Sequence, residues 1–331
     1  MKRTNVVISI IACAFLMPWR PRPACGQQLH LDDNSPRELN GEIYDQLPIS
    51  ESERATLRDA IKAHNYAPAE ALLIAESKRQ PKSPELLTTL GSVFFLDGKY
   101  LNCVVAMKKG EALAPLAASE RFTLALSYII LNHRDWARPE LENLANANPH
   151  SPLYPYWLGR IDYDGMQFRA AEAHLRKALE LDPKFMKAYD NLGLTEEALG
   201  QLDDAIGVYQ QAVTVNRSQP TPSPWPPLNL GTLLVKIEKL PEAESCLQES
   251  LKYDSRFPKA HFQMGLLLEK QKMYEEACNE LLEAVQNDPS DPDPHFVLGR
   301  IYTHQGDKAK AEVEWQTFQK LKHETPQLRP H

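Results

Sequence analysis

The sequence predicts an all-α solenoid in which one helical hairpin is stacked about eight times. Seven small residues recur with gaps of 34, 34, 34, 38, 34 and 34 residues; they are Gly91, Ala125, Gly159, Gly193, Gly231, Gly265 and Gly299. A fixed period of this size is typical of repeat proteins, in which each unit buries its apolar face against its neighbours. We therefore expect the chain to act through an extended surface and to catalyse no reaction.

Each unit is predicted to contain two helices. With the recurring small residue numbered position 8, positions 4, 7, 8 and 11 form one stripe of a first helix. In the second helix, position 20 is small, at Ala69, Cys103, Ala137, Ala171, Ala205, Ala243, Ala277 and Ala311, and position 24 is large, at Leu73, Met107, Leu141, Leu175, Tyr209, Leu247, Leu281 and Trp315. Small residues at positions 8 and 20 let the helices approach, and the large residue fills the space beside them. Proline at position 32 in five units ends the second helix.

This pattern resembles the tetratricopeptide repeat (TPR), a 34-residue helix–turn–helix with small and large residues at these positions. The clearest members contain AYDNLGLTEEALG and AHFQMGLLLEKQK. The resemblance covers residues 50–325 as eight units: 50–83, 84–117, 118–151, 152–185, 186–219, 224–257, 258–291 and 292–325. It implies a right-handed superhelix that binds a protein or peptide on the concave side, which the first helices line.

Both ends of the array depart from the pattern. The first unit has Leu57 where the small residue is expected, as terminal repeats often do, and residues 27–49 before it form a predicted linker. TPR arrays commonly finish with an additional solvating helix, yet only the short tail 326–331 follows the last unit. Either Trp315 and Phe318 seal that unit, or its outer face meets another molecule, such as a second copy of the chain.

Residues 1–26 are interpreted as a signal peptide. Two basic residues precede the apolar run Val6–Met17, which is too short to span a bilayer comfortably, and small residues before residue 27 suit cleavage. The mature chain would then be exported, to the periplasm or the medium. Two arginines between the apolar run and the cleavage site are atypical. An uncleaved start that tethers the chain to a membrane, or lipidation of Cys25, therefore stays open.

Composition and motifs exclude several function classes. Without residues 1–26 the chain carries 33 basic and 44 acidic side chains, a net charge of −11 that repels nucleic-acid phosphates. The ten histidines show no metal-ligand spacing, and nucleophile elbows, phosphate-binding loops and dinucleotide fingerprints are missing. We therefore predict no enzymatic activity, no metal and no cofactor.

Candidate binding residues follow from the resemblance, which places positions 2, 5, 6 and 9 on the concave side. The set we select is Tyr156, Arg160, Lys187, Asn191, Trp225, Asn229, Lys259 and Gln263. Asn191 and Asn229 occupy position 6 of adjacent units, and each amide offers a donor and an acceptor to a peptide backbone. TPR domains that clamp a C-terminal carboxylate also need an arginine where Gln263 stands, so the full clamp is missing. Arg160, Lys187 and Lys259 remain suited to an acidic segment.

The single irregular gap coincides with the proline-rich stretch SQPTPSPWPPLN. It is either a tolerated loop insertion or a bend that places Trp225 at the rim of the groove. The preferred function is a non-catalytic, peptide-binding scaffold outside the cytoplasm, similar to bacterial periplasmic TPR proteins that assist envelope or secretion-complex assembly. The alternatives are a scaffold that dimerises through its C-terminal repeat and an envelope protein that binds glycan or cell-wall polymer.

Overall fold

The computed structural model describes residues 47–324, which form sixteen α-helices and no strand. The predicted signal peptide, most of the linker and the tail lie outside these residues. The helices are α1 Glu51–Lys62, α2 Tyr66–Arg79, α3 Pro84–Leu96, α4 Tyr100–Glu111, α5 Ala118–Ile130, α6 Arg134–Ala147, α7 Leu153–Asp164, α8 Phe168–Leu181, α9 Met186–Ala198, α10 Leu202–Arg217, α11 Trp225–Lys236, α12 Leu240–Tyr253, α13 Pro258–Lys270, α14 Tyr274–Asn287, α15 Asp293–Gln305 and α16 Lys308–Glu324. Consecutive pairs form eight hairpins, which we number repeats 1–8.

The glycines at position 8 exist because the large residue at position 24 occupies the space of a Cβ atom. A Cβ built on Gly193 would lie 2.2 Å from Cε1 of Tyr209, and one built on Gly159 would lie 2.7 Å from Cγ of Leu175. The alanines and the cysteine at position 20 are buried as well. The predicted helical hairpin and its all-α solenoid are therefore confirmed.

The first helices lie on the inner side of the solenoid. They approach one another directly at α3–α5, α7–α9, α11–α13 and α13–α15, whereas successive second helices of the described chain have no comparable contacts. A stack whose first helices converge is concave on their side. No helix within residues 47–324 has the length and apolar character needed to cross a bilayer.

Every hairpin turns through a left-handed residue at position 15, a feature that the sequence pattern conceals. Three of the eight are glycines, and the others are His64, Asn132, Met166, Glu238 and Lys272. A side chain in this conformation costs about 1 kcal/mol because its Cβ crowds the backbone. Only the geometry shows that the position is shared, since most of the repeats carry no glycine there.

We expect Met166→Gly to stabilise the fold by about 1 kcal/mol, because glycine adopts positive φ without steric cost. Met166 has a φ of 58° and is 78% exposed, so little packing is lost. Urea unfolding measures the change. Gly200→Ala, at the same position with a φ of 75°, is the reciprocal control and should destabilise. A lower midpoint for Met166→Gly would show that the turn is not strained.

Candidate functional site

Four consecutive first helices carry the predicted binding residues on the concave side of repeats 4–7. Helix α7 supplies Tyr156 and Arg160 one turn apart, and α9 supplies Lys187 and Asn191 in the same way. Helix α11 supplies Trp225 and Asn229, and α13 supplies Lys259 and Gln263. The spacing of four residues places each pair on one helix face.

Tyr156 interacts with Arg160 and Asn191 where α7 meets α9. Tyr156 is 4% exposed and Asn191 is 8% exposed. Burial raises the pKa of Tyr156, and interactions with the side chains of Arg160 and Asn191 act in the opposite direction. The Arg160 guanidinium also lies 5.2 Å from the centre of the Trp157 ring. These contacts position Arg160 while leaving it partly exposed.

The two asparagines at position 6 have different environments. The Nδ2 of Asn191 donates to the Lys187 carbonyl oxygen at 2.8 Å, so this buried amide is largely used within its own helix. Asn229 is partly exposed, and its Nδ2 donates to Oδ1 of Asp190 at 2.9 Å. Of the two, Asn229 is therefore better placed to meet a ligand.

Asp190 is the groove residue that the candidate set omits. Its bond from Asn229 links α9 to α11 across the irregular gap. Burial raises the pKa of Asp190 to about 6, although the hydrogen bond from Asn229 lowers it. The sequence could have indicated Asp190 as a candidate, because it occupies position 5, directly beside Asn191. The carboxyl group therefore changes charge within the range of pH at which proteins are ordinarily studied.

The outer candidates differ in exposure. Trp225 is half-buried and packs edge-on against Phe257, with ring centres 5.0 Å apart. Lys259 is exposed, and Gln263 is partly exposed with no hydrogen bond of its side chain among the described residues. Trp225 thus packs against the residue that precedes α13, whereas the side chains of Lys259 and Gln263 are accessible to solvent.

The four extra residues between repeats 5 and 6 are held in a closed loop. The Asn216 side chain bonds to Ser223 twice: its Nδ2 donates to the Ser223 carbonyl, and its Oδ1 accepts from the Ser223 amide, both at 2.8 Å. The Ser250 hydroxyl donates to the Pro224 carbonyl at 2.8 Å. Asn216 is 1% exposed, so the glycosylation sequon that begins there is inaccessible in the folded chain.

Two buried carboxyl groups occupy position 11 of repeats 4 and 5, behind the groove. Asp162 bonds to Arg138 and lies 2.7 Å from Nδ1 of His174. Burial acts to raise the pKa of Asp162, but the bonds from His174 and Arg138 outweigh it, and the pKa falls below its ordinary value. Asp162 therefore joins repeats 3 and 4 and is more than a surface charge.

The carboxyl group of Glu196 forms fewer hydrogen bonds than that of Asp162. Its Oε1 accepts from Nη2 of Arg176 at 2.6 Å, while its buried Oε2 has no hydrogen-bond partner. Burial raises the pKa of Glu196 to about 7. Within residues 47–324, no group of His, Cys, Asp and Glu is arranged to hold a metal ion.

Comparison with known proteins supports the fold. A family model described as tetratricopeptide repeat matches residues 158–221, 228–292 and 274–317. Among solved structures, yeast Tom70 has a TM-score of 0.57 at 17% identity, over 83% of this chain and 62% of that one. PilW, a type IV pilus biogenesis factor, has a TM-score of 0.54 at 19% identity, over 61% and 92%.

A further structural neighbour is a chain of the APC/C hetero-tetramer Cut9–Hcn1, with a TM-score of 0.53 at 17% identity over 74% of this chain. The alignment spans only 48% of that chain, about half its length. A search of the curated proteins found no match. The repeat model shows that the chain contains tetratricopeptide repeats between residues 158 and 317, and the solenoid neighbours share the fold.

Proposed function

We propose that this TPR protein is a non-catalytic scaffold that holds an extended segment of a partner protein in the concave groove of repeats 4–7. Proteins of this fold bind protein or peptide partners, and the four first helices here present amides and cations on one continuous face. Extended peptides expose backbone groups that side-chain amides can bind. The partner is a protein or peptide, with no nucleic acid involved.

The observation that carries this proposal is the Asp190–Asn229 bond at the centre of the groove. It holds an amide and a carboxyl group between Arg160 on one side and Lys259 on the other. Cations on both sides of a polar centre suit a segment with acidic side chains, and Gln263 offers a further amide. Such a surface binds by many modest contacts, as peptide grooves commonly do.

A site outside the cytoplasm is part of the proposal and is supported by the signal-like pattern of residues 1–26. The compartment would be the periplasm or the medium, with membrane attachment only through an uncleaved N-terminus or a lipidated Cys25. Similarity to PilW, a pilus biogenesis factor, agrees with an envelope role. Fractionation of cells that produce the full chain tests this part.

The direct test is a crosslinking pull-down from an envelope extract. We expect the double variant Arg160→Ala/Lys259→Ala to recover about tenfold less partner, since each lost contact with an acidic group contributes roughly 0.5–1 kcal/mol. The matched control, Arg169→Ala/Lys252→Ala, removes the same charges from exposed positions of second helices. Equal recovery with both variants would place the binding surface elsewhere.

Binding of acidic peptides should strengthen as the pH falls through 6. Asp190 is ionised above its pKa of about 6 and repels an acidic ligand, and protonation removes that charge. For a short aspartate-rich peptide we expect about fivefold tighter binding at pH 5.5 than at pH 7.5. Asp190→Asn should abolish this dependence, as fluorescence anisotropy can show. A dependence of the same size in that variant would exclude Asp190 as its cause.

Self-association through repeat 8 is the second candidate, and one observation favours it. Phe296 is 39% exposed and packs against Trp315 and Phe318 at the end of the described array. The indole ring of Trp315 and the phenyl ring of Phe318 are themselves partly buried, however, which favours a sealed end. Light scattering decides between them: a monomer at high concentration excludes the dimer.

A further inference from the structure

An apolar pocket lies on the side of the second helices, away from the proposed groove. It has a volume of about 590 Å³ and is formed by α2, α3 and α4. Its apolar lining includes Ile74, Leu87 and Val105, and two exposed lysines, Lys78 and Lys109, also line it. An exposed apolar surface flanked by like charges is typical of a binding site.

Repeat 2 lacks a pair of polar side chains that three other repeats have at the equivalent positions. Positions 4 and 23 of these three repeats are joined through their side chains: Arg121 forms a salt bridge with Glu140, and the Nδ1 atoms of His261 and His295 lie 2.7 and 2.6 Å from Oε2 of Glu280 and Glu314. In repeat 2 these positions are Leu87 and Ala106. The short apolar side chains of Leu87 and Ala106 line the pocket at these positions.

A buried polar atom in the same wall also lacks a partner. The Oγ of Ser77, which lines the pocket, is inaccessible and has no hydrogen bond among the described residues. Buried hydroxyl groups are nearly always bonded in folded proteins. Within the described residues the wall of the pocket therefore leaves this hydroxyl group without a hydrogen-bond partner.

The described chain begins beside the pocket. Leu47 is 1% exposed, and the Pro48 carbonyl accepts a hydrogen bond from Nε2 of Gln80 at 2.8 Å. Pro81, the next residue, lines the apolar pocket and also borders a surface recess with Pro48. Pro48, close to the start of the described residues, thus lies near the edge of this pocket.

The preceding residues 37–46, RELNGEIYDQ, have a complementary composition. Leu39, Ile43 and Tyr44 are apolar, and one basic and three acidic residues give the segment a net charge of −2. Ten extended residues reach about 33–36 Å, which exceeds the width of two packed helices at roughly 10 Å each. The segment is long enough to cross from Pro48 to α4.

We propose that residues 37–46 dock in this pocket. The apolar side chains Leu39, Ile43 and Tyr44 cover the wall between α2 and α4, and the acidic side chains face Lys78 and Lys109. The segment is the chain's own, so it is present at high effective concentration and needs little affinity to remain bound.

The test is intramolecular photo-crosslinking in the full chain with Tyr44→p-benzoylphenylalanine. We expect adducts, mapped by mass spectrometry, between residue 44 and α2 or α4 of the same chain. Val105→Glu should lower their yield about fivefold, because a carboxylate replaces apolar surface in the pocket. Ala173→Glu, at the same position of repeat 4 and also exposed, is the control and should leave the yield unchanged.

A pair of charge-reversal variants distinguishes a loss of docking from a loss of folding. Lys109→Glu should reduce the adducts, and adding Glu42→Lys should restore them. Adducts to the concave groove, a yield that Val105→Glu does not change, or no adducts at all would each overturn the proposal. Adducts between two chains would show that a second copy occupies the pocket instead.

Discussion

Gly193→Ala is expected to lower the free energy of unfolding by about 3 kcal/mol. The new methyl group would lie 2.2 Å from Cε1 and 2.4 Å from Cζ of Tyr209, a rigid ring in the buried contact between α9 and α10. Tyr209 is 1% exposed and its hydroxyl donates to Glu197 at 3.0 Å, so the ring has nowhere to move. Urea unfolding followed by circular dichroism measures the loss.

Two glycine-to-alanine controls separate this clash from helix propensity. Gly207 lies within α10 with nothing inside 4 Å of its added Cβ, so Gly207→Ala should stabilise by about 1 kcal/mol. Gly159→Ala meets the flexible Leu175, and repeat 3 already combines Ala125 with Leu141 at these positions. Its cost should be smaller than that of Gly193→Ala. If all three variants behave alike, position 8 is not a packing site.

Glu196→Gln is expected to raise the free energy of unfolding by about 3 kcal/mol above pH 8 and to change it little near pH 4.5. The folded-state pKa of Glu196, about 7, lies above its ordinary value of 4.5 because the carboxyl group is buried. The fold is therefore favoured while Glu196 is protonated and loses that advantage as the pH rises through 7. Glutamine keeps the shape without the charge. Arg176 retains its ion pair with Glu172 at 3.2 Å.

Asp162→Asn is the control of opposite sign at the same repeat position. The pKa of Asp162 is lowered by His174 and Arg138 despite burial, so its ionised form stabilises the fold above pH 4. Asparagine removes that contribution at neutral pH and matters less in acid. Thermal unfolding from about pH 4.5 to about pH 8.5 compares both variants. A stabilisation by Glu196→Gln that is equal at all pH values would contradict the assigned pKa.

The repeat architecture was predictable because packing at positions 8, 20 and 24 permits few residue types. A Cβ at Gly193 or a larger residue at Ala205 would separate two helices, so the constraint is visible in the residues themselves. The left-handed turn at position 15 was not predictable, because residues such as Met166 and Glu238 also adopt this conformation and glycine occurs there in only some repeats. A cost of about 1 kcal/mol is too small to exclude other residues.

The sequence predicted which repeat positions the candidate binding residues occupy, but it did not predict which hydrogen bonds they form. Asn191 and Asn229 share one position, yet the first is buried against Lys187 and the second reaches Asp190 in the next helix. The same limit applies to Glu196, whose hydrogen bond comes from Arg176 of the preceding repeat. Contacts between repeats follow from relative placement, which a periodic pattern does not specify.

The most direct test of the proposed binding groove is a photo-crosslinking scan in cells that produce the full chain. The crosslinking residue replaces Asn229 or Gln263 in the groove, and Asn143 or Gln248 on exposed faces of second helices as controls. We predict that protein adducts form at the two groove positions and are much weaker at the two controls. Adducts that form mainly at Asn143 or Gln248 would contradict a partner held by the first helices.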